Sequence, residues 1–338
     1  VQGEDIHLTI DATLQFYSYK YLAEAIKKNK AKSGTVIILD NKKGELLAMA
    51  SYPSYNPNNP QRKIQKNRAL VEAYELGSVL KPIVLSKAFD NELFLPDEIV
   101  DIPRRLNLND KVIIDSKNHI ELTPKEIIAV SSQVGASKIA LELGYKDLKK
   151  NYYDFGFTKP ISINFPSSSF GYMSTNEKVL DKELASLGYG YGIKISPFQI
   201  ASAYSVFANN GVIKDFQMFK NQEVTSKKII SSESASHILD ALRMAVENGT
   251  GKTANIKGFS VGGKTGTAHQ TRTGSGYAED LYIASFVGIT PISDQSLTIF
   301  VSIESPGLNS YTGGSVAAPV FAKIAESSLN HLGYFQDE

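Results

Sequence analysis

The stretch "SVGGKTGTA", residues 260–268, admits two readings that lead to different folds. With Gly258 and Phe259 in front of it, "GFSVGGKT" satisfies G-x-x-x-x-G-K-[ST], the loop that cradles nucleotide phosphates. Such a loop needs a hydrophobic strand before it and a helix after it. Here the preceding residues are the polar "GTGKTANIK", and the next residues, "TGTAHQTRTGSGY", have no helical period. Read as a strand, "GGKTGTA" alternates, its glycines let another backbone approach closely, and Lys264, Thr265 and Thr267 offer a cation and two hydroxyls. Such an edge suits an extended peptide ending in a carboxylate. Taken alone, a surface turn with an exposed lysine is the simpler account.

Strand signals at both ends of the chain support a sheet. "GTVIILD" and "ELLAMAS", joined by "NKKG", read as an antiparallel hairpin, and "LYIASFVGIT" and "LTIFVSIES" read as two further strands near the C-terminus. A helix precedes the first pair: Asp11 is its N-cap, and Leu14, Tyr17, Tyr21, Leu22 and Ile26 form one apolar stripe. A closing helix is expected from about Ala318 to Leu332. The middle reads as mostly helical, with Thr123, Pro124 and Glu126 forming a capping box and Ser196, Pro197 and Gly211 punctuating a second helix. The expected class is therefore α/β of the α+β kind: a sheet assembled from both ends of one domain, 1–338, flanked by helices and carrying a helical subdomain. The sheet-containing part is placed at about 1–75 and 250–338, the mostly helical part at about 76–249, with the site in the cleft between them.

Composition narrows the classes. Of 338 residues 42% are hydrophobic, enough for a sizeable core, and the net charge is +1 with both signs interspersed, which leaves no footprint for nucleic acid. There are no cysteines, so thiol nucleophiles and Cys-ligated metals are excluded. Five scattered histidines form no HExxH pair, and neither metal nor cofactor is expected. The 17 tyrosines read as core and surface residues rather than a binding cage. "GYGYGIK" reads as a tight loop. No window approaches 18 consecutive apolar residues, so no membrane segment is expected in this chain, and "VQGEDIHLTID" starts as though cut from something longer.

Two further stretches carry polar groups at telling spacings. In "YELGSVLKPIV", residues 74–84, Ser78 and Lys81 share one helical face, close enough for a hydroxyl and an amine to exchange a proton. Pro82 lacks an N–H, so the helix is expected to begin near Ser78 or Val79, placing Ser78 at its positive end. An ordinary serine cap followed by a solvated lysine fits the tetrapeptide as well. In "AVSSQVGASKIAL", residues 129–141, Ser131 and Gln133 fall at the break between the capped helix and Gly135, where small polar residues commonly satisfy loop backbone.

Together and in this order, Ser-x-x-Lys, Ser-x-amide and Lys-Thr-Gly are the motif set of the penicillin-binding proteins and serine β-lactamases. "LTID", "SYPSYNPN", "NRALVEAYELGS", "GYGIKISPFQIASAYSVFANNGV", "VENGTGKTA", "GGKTGTA", "SFVGITP" and "YTGGSVAAPVFAKI" resemble successive landmarks of a class B penicillin-binding protein transpeptidase domain across nearly the whole chain. "SSQVG", close to the "SSNVG" of division-type members, and "GGSVAAPVF" incline the resemblance toward the septal branch.

The resemblance implies the penicillin-binding protein/serine β-lactamase-like fold and a D,D-transpeptidase that cross-links peptidoglycan stem peptides and is covalently inhibited by β-lactams. Ser78 resembles the nucleophile and Lys81 its base. Lowering the lysine from about 10.4 toward 7 costs about 4 kcal/mol, which burial and a second cation can supply. Lys264 resembles that cation and also draws in the substrate carboxylate, with Thr265, Gly266 and Thr267 as the substrate-binding strand. Backbone N–H groups of Ser78 and Thr267 resemble the oxyanion hole, and Ser131 the proton relay. Gln133 stands in the place of the family's asparagine, expected to position Lys81 and the substrate amide. Leu76, where the family has proline, changes only the approach to the helix. Gln133 is the larger departure, its amide lying one methylene further out.

The resemblance further implies a membrane anchor and a pedestal domain upstream of this chain, a periplasmic location on the outer face of the cytoplasmic membrane, and a glycosyltransferase and other division proteins as partners. The alternatives are a β-lactamase or D,D-carboxypeptidase on the same fold, a non-catalytic wall-binding scaffold and, more distantly, a nucleotide-binding protein.

Overall fold

Asp11 starts the first helix, α1 (Ala12–Lys28), by accepting hydrogen bonds from Thr13 N at 2.8 Å and Leu14 N at 2.9 Å. Leu14, Leu22 and Ile26 are buried, and Tyr17 and Tyr21 are half-buried and stacked at 5.9 Å. In the computed structural model, residues 3–338 are described apart from 57, 59–65, 162, 164, 166–167, 175–177, 273–275 and 308. Val1, Gln2 and the Pro57 of "SYPSYNPN" lie outside the described residues.

The core of the fold is a five-stranded antiparallel sheet of β1 (Ser33–Asp40), β2 (Glu45–Tyr52), β3 (Gly262–Arg272), β4 (Gly276–Thr290) and β5 (Leu297–Glu304), in the order β3-β4-β5-β1-β2. β1 and β5 join the two ends of the chain, with Ile38 opposite Ile299 and Val36 opposite Val301. Successive side chains on a strand point to opposite faces, and here both faces are covered. Val36, Ile38, Ile299 and Val301 pack toward α1 and the closing helix α8 (Ala318–Leu332), while Ile37, Leu39 and Phe300 pack toward the middle of the chain. That is why β1 and β5 read as continuous apolar runs rather than alternating ones.

The middle contains α2 (Lys81–Asp90), α3 (Pro124–Val130), α4 (Gln133–Asp154), α5 (Asp181–Gly188), α6 (Pro197–Ala208) and α7 (Ser232–Glu247). Thr123 and Glu126 form the capping box of α3, and Ser196 with Gln199 repeats it on α6. Helices are not alone there. Among the described residues, two-stranded ladders pair 100–101 with 121–122, 106–108 with 111–113, 172–173 with 193–194, and 212–214 with 226–228. No helix among the described residues is long and apolar enough to cross a membrane.

Two local expectations are corrected. The α-helix carrying Lys81 begins at Lys81 rather than at Ser78 or Val79, and a single 3-10 turn, Gly77–Leu80, precedes it. Pro82 has no N–H to give to the Ser78 carbonyl, so the Lys81 N–H takes that acceptor in the tighter turn. Lys264 lies buried on β3 rather than exposed on a surface turn, and the next described element is the strand β4, not the helix that a nucleotide loop needs.

Candidate active site

Lys81 is fully buried at the start of α2. Its Nζ lies 3.1 Å from Ser78 Oγ on the preceding turn, 3.1 Å from Ser131 Oγ, and 2.6 Å from the Ser131 carbonyl oxygen. Ser131 reaches it because it caps the C-terminus of α3 in the left-handed region, at φ 64 and ψ 40, which turns both its carbonyl and its hydroxyl toward the lysine. The helix pair α3–α4 thus breaks where the polar groups are needed.

Asp115 sets that break, although it belongs to none of the three motifs. It accepts from the Ser132 hydroxyl at 2.6 Å, from Gln133 N at 2.5 Å and from Val134 N at 3.1 Å, while Ser132 Oγ accepts from Gly135 N at 2.8 Å. The orphan N–H groups that open α4 are thereby satisfied. An aspartate after the short apolar run "KVII" carries no local sign that it caps a helix 17 residues downstream.

Gln133 is placed differently from expectation. Its side chain is exposed and lines a cavity. Among the described residues, the hydrogen-bonding partners of Lys81 are Ser78 and Ser131.

The third motif forms the free edge of the sheet. Lys264 is fully buried, with Nζ 3.2 Å from the Thr265 carbonyl and 3.4 Å from Thr265 Oγ1. Thr265 Oγ1 shares a hydrogen bond with Thr250 Oγ1 at 2.8 Å, and Thr267 Oγ1 accepts from Gly313 N at 3.0 Å. Gly266 is required by space. A Cβ there would lie 2.4 Å from Ser285 Oγ and 2.6 Å from the Leu76 carbonyl, so the glycine lets the nucleophile loop rest on the strand. His269 N–H points away from β4, to Tyr191 OH at 3.3 Å. Antiparallel strands alternate, so Thr267 N–H, two residues earlier, also points off the sheet. It faces the Ser78 turn, where a Cβ on Gly77 would come within 3.4 Å of the Thr267 carbonyl.

Burial lowers Lys81 to about 7, against the pull of the Asp115 charge, which acts to raise it. Lys264 is pushed well below the usual lysine range, first by burial and then by the Lys81 charge. Two buried ammonium groups that repel one another resist holding two protons at neutral pH.

A cavity of about 950 Å³ is lined by Gln133 and Thr267 together with Tyr189, Tyr191, Tyr277, Tyr282 and Tyr311. Tyr282 stacks on Tyr311 at 4.3 Å and lies 4.6 Å from the His269 ring, and Tyr191 meets Tyr277 edge-on at 5.4 Å. These tyrosines come from segments far apart in the chain, which no local pattern could group.

The description "Penicillin binding protein transpeptidase domain" matches residues 34–326. The chain belongs to this family. It is 36% identical over 336 residues to the probable peptidoglycan D,D-transpeptidase PbpC of Pseudomonas aeruginosa, covering 98% of this chain and 59% of that protein. It is 32% identical over 343 residues to the peptidoglycan D,D-transpeptidase FtsI of Escherichia coli, covering 99% of this chain and 58% of that one. The chain thus spans about three-fifths of the length of these curated relatives. The apo transpeptidase domain of penicillin-binding protein 3 from Burkholderia pseudomallei superposes with a TM-score of 0.90 at 30% identity, each chain covered in full. The sheet with helices on both faces is accordingly the fold of penicillin-binding protein transpeptidase domains.

Proposed function

We propose that this chain is a peptidoglycan D,D-transpeptidase that forms a serine acyl-enzyme with stem peptides ending in D-Ala-D-Ala, cross-links them in septal wall synthesis, and is inactivated by β-lactams. The observation that carries the reading is the buried Lys81, lowered to about 7 and 3.1 Å from two serine hydroxyls. A base poised near neutrality beside a nucleophile is what acyl transfer requires.

The donor peptide lies along the free edge of β3, its carboxylate at Lys264, Thr265 and Thr267. That carboxylate restores the proton on Lys264, and the resulting like charge drives Lys81 toward its neutral form. Lys81 then takes the Ser78 proton as Oγ attacks the carbonyl of the penultimate D-alanine. The oxyanion is held by the N–H groups of Ser78 and Thr267. The C–N bond breaks, the departing amine of D-alanine receives a proton through Ser131 Oγ, and the acyl group remains on Ser78. An amine of a second stem peptide attacks this ester, loses its proton by the reverse route, forms the new amide and frees Ser78. Gln133, on the cavity wall, meets the substrate amide rather than Lys81.

The septal assignment is supported by relatives whose names include FtsI. It carries with it a site on the outer face of the cytoplasmic membrane and a glycosyltransferase and other division proteins as partners of the full-length protein. Intact mass spectrometry after incubation with penicillin tests the reading. A persistent adduct on Ser78, absent in Ser78→Ala, is expected. Rapid turnover would make the chain a β-lactamase, and no adduct would leave a scaffold.

A further inference from the structure

The cavity lined by Gln133 and Thr267 has the volume of one that encloses a drug-sized ligand, so D-Ala-D-Ala leaves most of its 950 Å³ open. A peptide running antiparallel to β3 with its C-terminal carboxylate at Thr265 directs its upstream residues past Thr267 toward His269, and both residues line this cavity. Lys111, on the short strand Lys111–Ile113, lines the same cavity and is the only lysine or arginine to do so among the described residues. It is half-buried, donates to Ser186 Oγ at 2.6 Å, and sits 5.5 Å from the centre of the Tyr189 ring.

This ammonium is held in place yet lacks a counter-charge among the described residues. Ser186 is itself anchored through the Lys182 carbonyl at 2.5 Å, and Lys182 is paired with Asp110 at 2.8 Å. Glu183, the one acid on the described cavity wall, caps its own helix by accepting from Leu180 N at 3.0 Å. Among the described residues Lys111 has no carboxylate partner. One hydroxyl and one aromatic face leave N–H donors for a ligand, and a half-desolvated cation gains most from an anion.

We propose that Lys111 forms a subsite for a carboxylate on the side chain of the residue immediately upstream of D-Ala-D-Ala in the acyl donor. The proposal rests on the transpeptidase reading above. Lys111 acts here as a specificity residue, remote from the bond that breaks.

Two penicillins made from 6-aminopenicillanic acid test it, one with an adipyl side chain ending in a free carboxylate and one with the isosteric terminal amide. In each, the side chain stands for the upstream residue. The rate of Ser78 acylation is expected to be about tenfold higher for the carboxylate. Lys111→Gln should bring that ratio toward one, and Lys111→Glu should invert it. Because the ratio is internal to each variant, a change in folded fraction does not disturb it. Equal rates in the unmodified protein, or a preference that survives Lys111→Gln, overturn the subsite alone. Failure of both compounds to acylate Ser78 overturns the underlying reading, and the subsite with it.

Discussion

Lys81 turns burial into reactivity. With its proton affinity lowered to about 7, it accepts the Ser78 proton only when neutral, so penicillin acylation should rise with pH through about 7 and level off above it. A stopped-flow profile that stays flat from pH 6 to 8 would remove Lys81 as the base. Asp115 modulates the same group. Its charge holds Lys81 up, so Asp115→Asn should move the acid limb to lower pH. The same variant weakens the acceptor of three donors at the head of α4 and displaces Ser131, which should lower the plateau by about 10²-fold. An unchanged profile in Asp115→Asn would show that Ser131 is held by other contacts. Gln133→Asn withdraws the amide by one methylene from the cavity wall, and acylation by substrate and by penicillin should change by different factors. Rates left unchanged for both would end the idea that this side chain tunes the site.

At β3 and the turn that faces it, fit rather than charge decides. In Gly266→Ala the new methyl would meet backbone at Leu76 as well as Ser285 Oγ, so either the edge of the sheet or the nucleophile loop must retreat. Overpacking of this kind costs about 1–3 kcal/mol, and the accompanying shift should abolish the penicillin adduct. A variant that melts lower yet acylates normally would show that the loop tolerates displacement. The element ends are largely legible in the sequence, because caps are local chemistry: Asp11, Thr123 and Ser196 announce their helices within four residues. The left-handed Ser131 is not legible, since "AVSSQV" marks a break in the helix without favouring φ 64 over other turn conformations. Its conformation follows from the Lys81 and Asp115 contacts on either side of the break.

For the molecule as a whole, the sheet is a joint between the two ends of the chain, and its buried faces carry the stability. Phe321 of α8 packs on Phe286 of β4 with ring centres 4.7 Å apart. Phe321→Ala should lower unfolding free energy by about 3–5 kcal/mol in urea titration, while Ser78 acylation below the transition persists. A loss of less than about 1 kcal/mol would mean that α8 repacks freely. The strand runs, the helix caps, the three polar motifs and their order are all readable along the chain, because each depends on neighbours within a few residues. The distances among Ser78, Lys81 and Ser131, the exposure of Gln133, the reach of Asp115 and the tyrosine-walled cavity with Lys111 are not. These depend on burial and on contacts between residues tens to hundreds of positions apart, which exist only once β1 has paired with β5 and the middle helices have closed against the sheet.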